Sequence, residues 1–195
     1  MDKSIAATQL FAIINERSSV RAYTAERLDR AAIVGLLQAA VRAPTAMHEE
    51  PWQFVVIQDQ LVLNRLSDRA KVLFAEEARR LHTPRGDSAA AYFTQPDFNV
   101  FYDAGTLIVI CAKAPGPFAV ADCWLAAENL MLAAHAMGFG TCVIGSAAST
   151  LNTPTVQDEL GIPAETIAVA PIIVGKPRGD WPPTSRKEPE ILIWR

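Results

Sequence analysis

The sequence lacks the features that direct a chain into or across a membrane. Its first residues, MDKSIAATQLFAIINERSS, contain no long apolar stretch and no small-residue cleavage site, so we predict no signal peptide. No uncharged apolar run approaches the roughly 18 residues that a membrane-spanning helix needs. The longest candidate, residues 118–150, is interrupted by Asp122, Glu128 and His135. We therefore expect a cytoplasmic protein that does not associate with a membrane.

Cysteine is scarce, and its spacing does not suit cross-linking or metal binding. Cys111, Cys123 and Cys142 are odd in number and widely spaced, and no Cys-x-x-Cys occurs. The histidines show no ligand spacing either, so we predict no metal site. Since each cysteine sits in an apolar segment, we expect three buried thiols in a reducing compartment.

A large excess of positive charge is also missing. The formal net charge is −3 at pH 7, which argues against a nucleic-acid partner. Apolar residues make up 50% of the chain and charged residues 20%, which is typical of a folded domain with a large core. With 195 residues, the chain is expected to form a single domain over 1–195.

Several well-known catalytic and nucleotide-binding signatures are absent. The glycine cluster at 138–145 follows a helix, whereas a dinucleotide-binding Gly-x-Gly-x-x-Gly follows a strand and opens a helix. The GKP at 175–177 lacks the rest of a P-loop, and no Gly-x-Ser-x-Gly elbow occurs. The Glu-Glu pairs at 49–50 and 76–77 are sequence neighbours, which do not face each other on a helix. No side chain is therefore predicted to be catalytic.

Apolar periodicity and turn residues predict helices that alternate with strands. Helices are expected at 5–16, from Asp29 as the N-cap to just before Pro44, at 60–81, at 118–137, and from Pro154 to Gly161. Strands are expected at 52–59, 106–113, 140–146 (a short strand or turn), 166–175 and 190–195. This order predicts a three-layer α+β architecture with helices on both faces of a central sheet.

Two segments do not fit a simple element. Residues 82–100 mix proline, glycine and aromatic residues, which is typical of a long functional loop, and we interpret them as a lid. Residues 176–195 form a proline-rich C-terminal arm. Its apolar end, EILIWR, has no obvious strand nearby in sequence, so we expect it to pair with the sheet of a second copy.

Basic and hydroxyl residues cluster in loops. ERSSVR places Arg17, Ser18, Ser19 and Arg21 within five positions, so both arginines can reach one phosphate and both serines can add hydrogen bonds. Near the other end, TSRKEP contains Arg186. The alternative is that these are solvated surface residues of a structural protein.

Four motifs, taken together and in order, resemble the FMN-dependent nitroreductase family over residues 11 to about 189. ERSSVRAY resembles the family's Arg-x-Ser-x-Arg, and RAPTAMHEEPWQFVVI resembles its Ala-Pro-Ser-Ala-x-Asn-x-Gln-Pro-Trp loop. DCWLAAENLMLAAHAMGFGTCVIGS resembles the central dimer helix with the glycine-rich turn that follows it. APIIVGKPRG and SRKEP resemble the family's final strand and arm.

The resemblance implies a fold, an assembly and a cofactor site. The fold would be a mostly antiparallel sheet flanked by helices, in a homodimer that exchanges C-terminal arms and binds FMN tightly at the subunit interface. The phosphate and ribityl end would contact Arg17, Ser18, Ser19, Arg21 and Arg186, or Arg21 would lie nearer the pyrimidine edge of the ring. The ring would lie between Pro44, Thr45, Ala46, Met47 and His48 on one side and Ile144, Gly145 and Ser146 on the other.

The resemblance also implies an activity. The protein would take hydride from transiently bound NADH or NADPH and reduce nitroaromatic, quinone or similar electron-poor aromatic acceptors by a ping-pong mechanism, with the chemistry at the flavin. His48 and Glu50 depart from the family's Asn and Gln. Alternatives are therefore a specialised relative, namely an enone or dehalogenating reductase or a flavin-transforming enzyme, and a low-turnover flavin-binding protein.

Overall fold

The centre of the molecule is a four-stranded antiparallel sheet. The computed structural model describes residues 3–80, 88, 91–93, 95, 97–113 and 116–195. The strands are β1 (Trp52–Ile57), β2 (Thr106–Ala112), β3 (Gly140–Val143) and β4 (Ile167–Gly175), in the order β1-β2-β4-β3. Each pair of neighbours is antiparallel, which matches the predicted sheet.

The helices agree closely with the predicted ones. They are α1 (Lys3–Glu16), α2 (Arg30–Ala40), α3 (Gln60–Arg80), α4 (Ala119–Ala136), α5 (Ala148–Leu151) and α6 (Pro154–Leu160). The backbone N–H of Ala32 donates to Asp29 Oδ1 over 2.7 Å, which confirms Asp29 as the N-cap of α2. Gly161 ends α6 with a φ of 67°, a left-handed conformation that suits glycine.

Side chains on the two faces of the sheet form two separate cores. Along β2, Leu107, Val109 and Cys111 pack in the core that includes α3, α5 and α6. The alternate residues of β2 pack in the core formed with α2 and α4. Because successive side chains of a strand point to opposite faces, a strand that is apolar throughout is buried on both. The three-layer prediction is confirmed.

Three predicted segments differ from the structure or lie partly outside it. The strand expected at 140–146 ends at Val143 and continues as a 3₁₀ turn, Gly145–Ala147. The tail at 190–195 is not a strand within the single chain, where it is exposed and Trp194 is 85% exposed, and its expected pairing with a second copy stays a prediction. Most of the predicted lid, 82–100, lies outside the described residues.

Apolar surface remains exposed on two helices that contact each other. On α1, Leu10 and Phe11 face solvent, and on α4, Trp124 and Leu125 do the same. The other face of α4 is buried against the sheet, which confirms a place in the core for one side of this helix, while a subunit interface on its exposed side stays a prediction. Across the described ranges, no helix is both long and apolar enough to span a bilayer.

Candidate functional site

The segment after α1 runs beside the sheet in an extended conformation. Ser19 forms a parallel bridge with Thr141 of β3, and the N–H of Val20 donates to the carbonyl of Thr141 over 2.9 Å. Further on, the N–H of Thr24 donates to the carbonyl of Lys176 over 3.0 Å. These backbone bonds fix the predicted phosphate-binding motif, 17–21, against the ends of β3 and β4.

Two glycines allow this close approach. A Cβ on Gly140 would lie 2.6 Å from Cγ2 of Val20, and a Cβ on Gly175 would lie 2.7 Å from Cδ1 of Tyr23. Both distances are too short for carbon atoms in contact. The hydroxyl of Tyr23 donates to the carbonyl of Val20 over 2.7 Å, which closes the turn. Because glycine has no Cβ, positions 140 and 175 allow the segment that contains the motif to lie directly against the sheet.

Alternation along the extended segment separates the motif's two serines. Ser19 and Arg21 both lie beside the thiol of Cys142 and act to lower its pKa. Burial raises the pKa of that thiol, and the neighbouring charge of Arg21 opposes the rise. The hydroxyl of Ser18, in contrast, lies 3.5 Å from the carbonyl of Trp181. Arg21 and Ser19 therefore share a site, and Ser18 contacts the start of the C-terminal arm.

A cavity of about 250 Å³ opens beside Arg21. Its lining joins Arg21 and Cys142 to the predicted ring-binding residues Ile144, Gly145 and Ser146. The remaining wall is aromatic, and it consists of Phe74, Phe93, Phe98 and Tyr102 together with Val100 and Val143. The cavity thus combines a guanidinium group, a backbone turn and flat apolar surfaces, which suits a planar ligand with a polar edge.

Tyr102 links the aromatic wall to the basic motif. Its ring centroid lies 5.6 Å from that of Phe98, and it lies beside Arg21 in the lining of the cavity. Burial raises the pKa of Tyr102, and Arg21 acts in the opposite direction. The φ of Tyr102 is 51°, an unusual backbone conformation for an aromatic residue that is typical of functional sites.

A second cavity, of about 230 Å³, opens beside Arg17. Its lining includes Arg17, Ser18, His135, Thr141 and Trp181. The Nε atom of Arg17 is buried and lies 3.5 Å from Oε1 of Glu128, and it has no hydrogen-bond partner among the described residues. A buried guanidinium donor without an acceptor is suited to binding an anion.

The loop predicted to line the ring lies elsewhere in the single chain. Residues 44–48 line neither of these two cavities, and the N–H of Ala46 contacts the carboxylate of Asp122 at the start of α4. Met47 is 83% exposed. Arg186 lies in the exposed arm and lines neither cavity. One chain therefore brings together Arg21, Ser19 and 144–146, but not the ring loop or Arg186.

Sequence reasoning missed several residues that take part in these contacts. They are Tyr102, Cys142, Glu128 and Asp122. The available signals were the aromatic density of FNVFY at 98–102 and the two carboxylates in an otherwise apolar helix, since a charge in an apolar segment usually has a partner.

Comparison with known proteins places this geometry in one family. A family model described as the Nitroreductase family matches residues 14–176. A relative from Archaeoglobus fulgidus, provisionally named an NADH dehydrogenase/NAD(P)H nitroreductase, is 28% identical over 86% of this chain and 85% of its own. An iodotyrosine deiodinase from Thermotoga neapolitana is 24% identical over 68% of this chain and 71% of its own.

A solved structure agrees with the family match. The nitroreductase with bound FMN from Bacteroides fragilis superposes with a TM-score of 0.82 at 25% identity, covering 96% of this chain and 99% of that one. This likeness confirms the predicted nitroreductase-like α+β fold. The chain belongs to the nitroreductase family, which is a family of oxidoreductases.

Proposed function

We propose that this protein is an FMN-dependent oxidoreductase. It takes hydride from NADH or NADPH and reduces nitroaromatic, quinone or similar electron-poor aromatic acceptors in a ping-pong cycle. The observation that carries the proposal is the buried Nε of Arg17, which lacks a hydrogen-bond partner among the described residues and lies in the same motif as Ser19 and Arg21. FMN is also the ligand of the solved nitroreductase that this fold resembles.

The residues present fit the cofactor. Arg17, with Ser18 and Ser19 nearby, supplies donors for the phosphate and ribityl end, while Arg21 and Tyr102 supply donors for the polar edge of the ring. The turn 144–146 and the aromatic wall supply flat surfaces. When bound, FMN supplies the hydride chemistry at its N5, so no side chain is needed as a catalytic base.

The side chains of the site have three tasks. The guanidinium groups neutralise the phosphate and hold the cofactor in place, and donors near the polar edge of the ring stabilise negative charge there. The phenylalanines exclude water and offer a surface against which an aromatic acceptor stacks. Since donor and acceptor use the same slot in turn, ping-pong kinetics follow.

The site is completed by a second copy of the chain. Loop 44–48 and Arg186 lie away from the two cavities of their own chain, and α1 and α4 carry exposed apolar side chains. Exposed apolar patches of this kind mark interaction surfaces. In the proposed homodimer, loop 44–48 of one copy faces the cavity of the other, and the arm brings Arg186 to the phosphate.

The test is a titration of the purified protein with FMN, followed by anaerobic mixing with NADH or NADPH. Saturable binding of FMN, bleaching of the flavin absorption by a nicotinamide donor and reoxidation by a nitroaromatic or quinone are expected. A protein that cannot be loaded with FMN would overturn the proposal. Bleaching that no acceptor reverses would favour the low-turnover flavin-binding protein.

A dehalogenating reductase is the second candidate, because the relative from Thermotoga neapolitana is named an iodotyrosine deiodinase. The two candidates separate when the reduced protein is offered 3-iodotyrosine and a nitroaromatic in parallel. Faster reoxidation by the nitroaromatic is expected for the first candidate, and faster release of iodide for the second.

A further inference from the structure

Asp122 occupies an unusual environment in the first turn of α4. Among the described residues it is the only Asp, Glu, Lys, Arg or His side chain that is buried, with 4% of its surface exposed. A buried carboxylate is costly unless hydrogen bonds or positive electrostatic potential compensate it. The N-terminal end of a helix supplies such potential, and the carboxylate needs further donors.

The donor is the backbone of the ring loop. The N–H of Ala46 lies 3.3 Å from each carboxylate oxygen of Asp122, although the two residues are 76 positions apart in the sequence. Ala46 begins the 3₁₀ turn Ala46–His48, for which Thr45 is the N-cap residue. Thr45 makes no side-chain cap hydrogen bond, so Asp122 is the side chain that accepts the first N–H of this turn.

The loop that Asp122 holds is strained. Met47, His48 and Glu50 have φ values of 55°, 56° and 45°, all in the left-handed region that non-glycine residues rarely adopt. Such conformations persist where the surrounding structure over-determines them. The hydrogen bond from Ala46 to Asp122 attaches the start of this strained run to the core helix α4.

We propose that Asp122 is a positioning residue for the ring loop: by accepting the hydrogen bond of Ala46, it holds residues 45–50 in the conformation that meets the flavin. The inference rests on the proposed function, because the loop can position a flavin only if FMN binds at the interface of the proposed homodimer. Asp122 does not itself contact cofactor or substrate.

Hydrogen exchange of the full-length protein tests the anchoring without any cofactor. Asp122→Ala should accelerate amide exchange in peptides covering 45–50 by about tenfold or more, because it removes the acceptor from a partly buried hydrogen bond. Asp122→Asn keeps the shape and one acceptor oxygen, so a smaller acceleration is expected. It also preserves a folded protein for study if the alanine variant does not fold.

The matched control is Asp68→Asn on α3, whose side chain is exposed and pairs with Lys71. It should leave exchange of the loop unchanged. Peptides covering 17–23 should exchange as in the parent protein in all three variants. Unchanged loop exchange in both Asp122 variants would overturn the proposal.

The FMN-loaded variants separate positioning from general stability. The Asp122 variants should shift the visible absorption bands and midpoint potential of the flavin and should raise KM for the acceptor more than they lower kcat. Faster loop exchange without a change in these three quantities would reduce Asp122 to a structural role and overturn the proposal. A parent protein that takes up no FMN would overturn the proposed function, while the exchange result would still decide the anchoring.

Discussion

Arg17 and Glu128 join the end of α1 to the middle of α4, with Nε and Oε1 3.5 Å apart. The carboxylate is half-exposed, whereas the Nε atom is buried. An ion pair of this kind contributes little to stability, because solvent screens the exposed partner. The pair leaves the guanidinium group with donor capacity beside the cavity that we assign to the phosphate, where the carboxylate competes with that anion.

Replacing Arg17 by alanine should weaken FMN binding by about tenfold to a hundredfold, because a hydrogen bond to a charged group contributes about 1.5–3 kcal/mol. Titration monitored by flavin fluorescence measures the change. Arg30→Ala is the control, since Arg30 is exposed at the start of α2 and lines neither cavity. Equal affinities in Arg17→Ala and the parent would show that the phosphate binds elsewhere.

Glu128→Gln should strengthen FMN binding severalfold. The substitution removes a negative charge that repels the phosphate and competes for Arg17. The difference in FMN affinity between Glu128→Gln and the parent protein should shrink as salt is added, because the carboxylate is exposed enough to be screened. Glu26→Gln is a suitable control, as its partner Lys176 lies outside both cavities. A weaker complex in Glu128→Gln would mean that the carboxylate chiefly orients Arg17.

A methyl group at position 140 should displace the phosphate motif. Gly140→Ala places a Cβ 2.6 Å from Val20, and such overpacking costs about 1–3 kcal/mol of unfolding free energy. FMN affinity should fall as well, since Ser19 and Arg21 flank Val20. Gly35→Ala, in helix α2 with no atom within 4 Å of the added Cβ, should instead stabilise the protein by about 0.5–1 kcal/mol. Urea unfolding measures the change in unfolding free energy for both variants. Similar changes in the two variants would contradict the prediction.

A charge on the exposed face of α1 should separate the proposed dimer. Phe11 is 62% exposed in the single chain, and in a homodimer Phe11→Asp would bury a carboxylate in an apolar interface. Light scattering should give the dimer mass for the parent and the monomer mass for the variant, and the monomer should retain less FMN. Thr8→Asp is the control, because it introduces aspartate into the same helix without removing an apolar side chain. A parent that is monomeric at all concentrations would refute this assembly.

Stability should fall at alkaline pH because of two buried thiols. Burial raises the pKa of Cys111 from 9.0 to about 12 and that of Cys123 from 9.0 to about 11. The folded state therefore binds these protons more tightly than the unfolded chain does. Their contribution is fully present below pH 9.0 and is lost as the pH rises towards the folded values.

Urea midpoints measured from about pH 8 to about pH 11 should therefore decrease, most steeply above the ordinary thiol pKa. The slope should be smaller in Cys123→Ala, whatever that substitution does to the stability at neutral pH. A midpoint that stays constant across this range would show that the thiols ionise equally in both states.

Local signals in the sequence were sufficient for most of the fold. Periodicity placed the four central strands and helices α1–α4 and α6, but not α5 (Ala148–Leu151), while Asp29 and Gly161 marked helix ends. The tail at 190–195 is not a strand in the single chain, because a strand requires a partner and residue pattern alone cannot supply one. Similarly, no charged residue or proline in 140–146 marks the point after Val143 at which the strand gives way to a turn.

The site was predictable only in part, for a related reason. ERSSVR is a local motif, so its residues could be proposed from the sequence alone, whereas Tyr102 and Asp122 act through contacts with Arg21 and Ala46 that are distant in sequence. The order of motifs along one chain also does not tell whether two motifs meet within that chain or between two copies of it. The separation of loop 44–48 from the two cavities became visible only in three dimensions.

The hydrogen bond that the distant helix α4 accepts from the turn has a practical consequence for enzyme engineering. Since Asp122 accepts the first N–H of the turn and the hydroxyl of Thr45 makes no cap hydrogen bond, position 45 is relieved of the usual demand for a small polar residue. A saturation library at this one codon would sample new shapes and chemistries while the backbone of the turn stays as it is. Selectivity among acceptors would thereby become adjustable separately from folding.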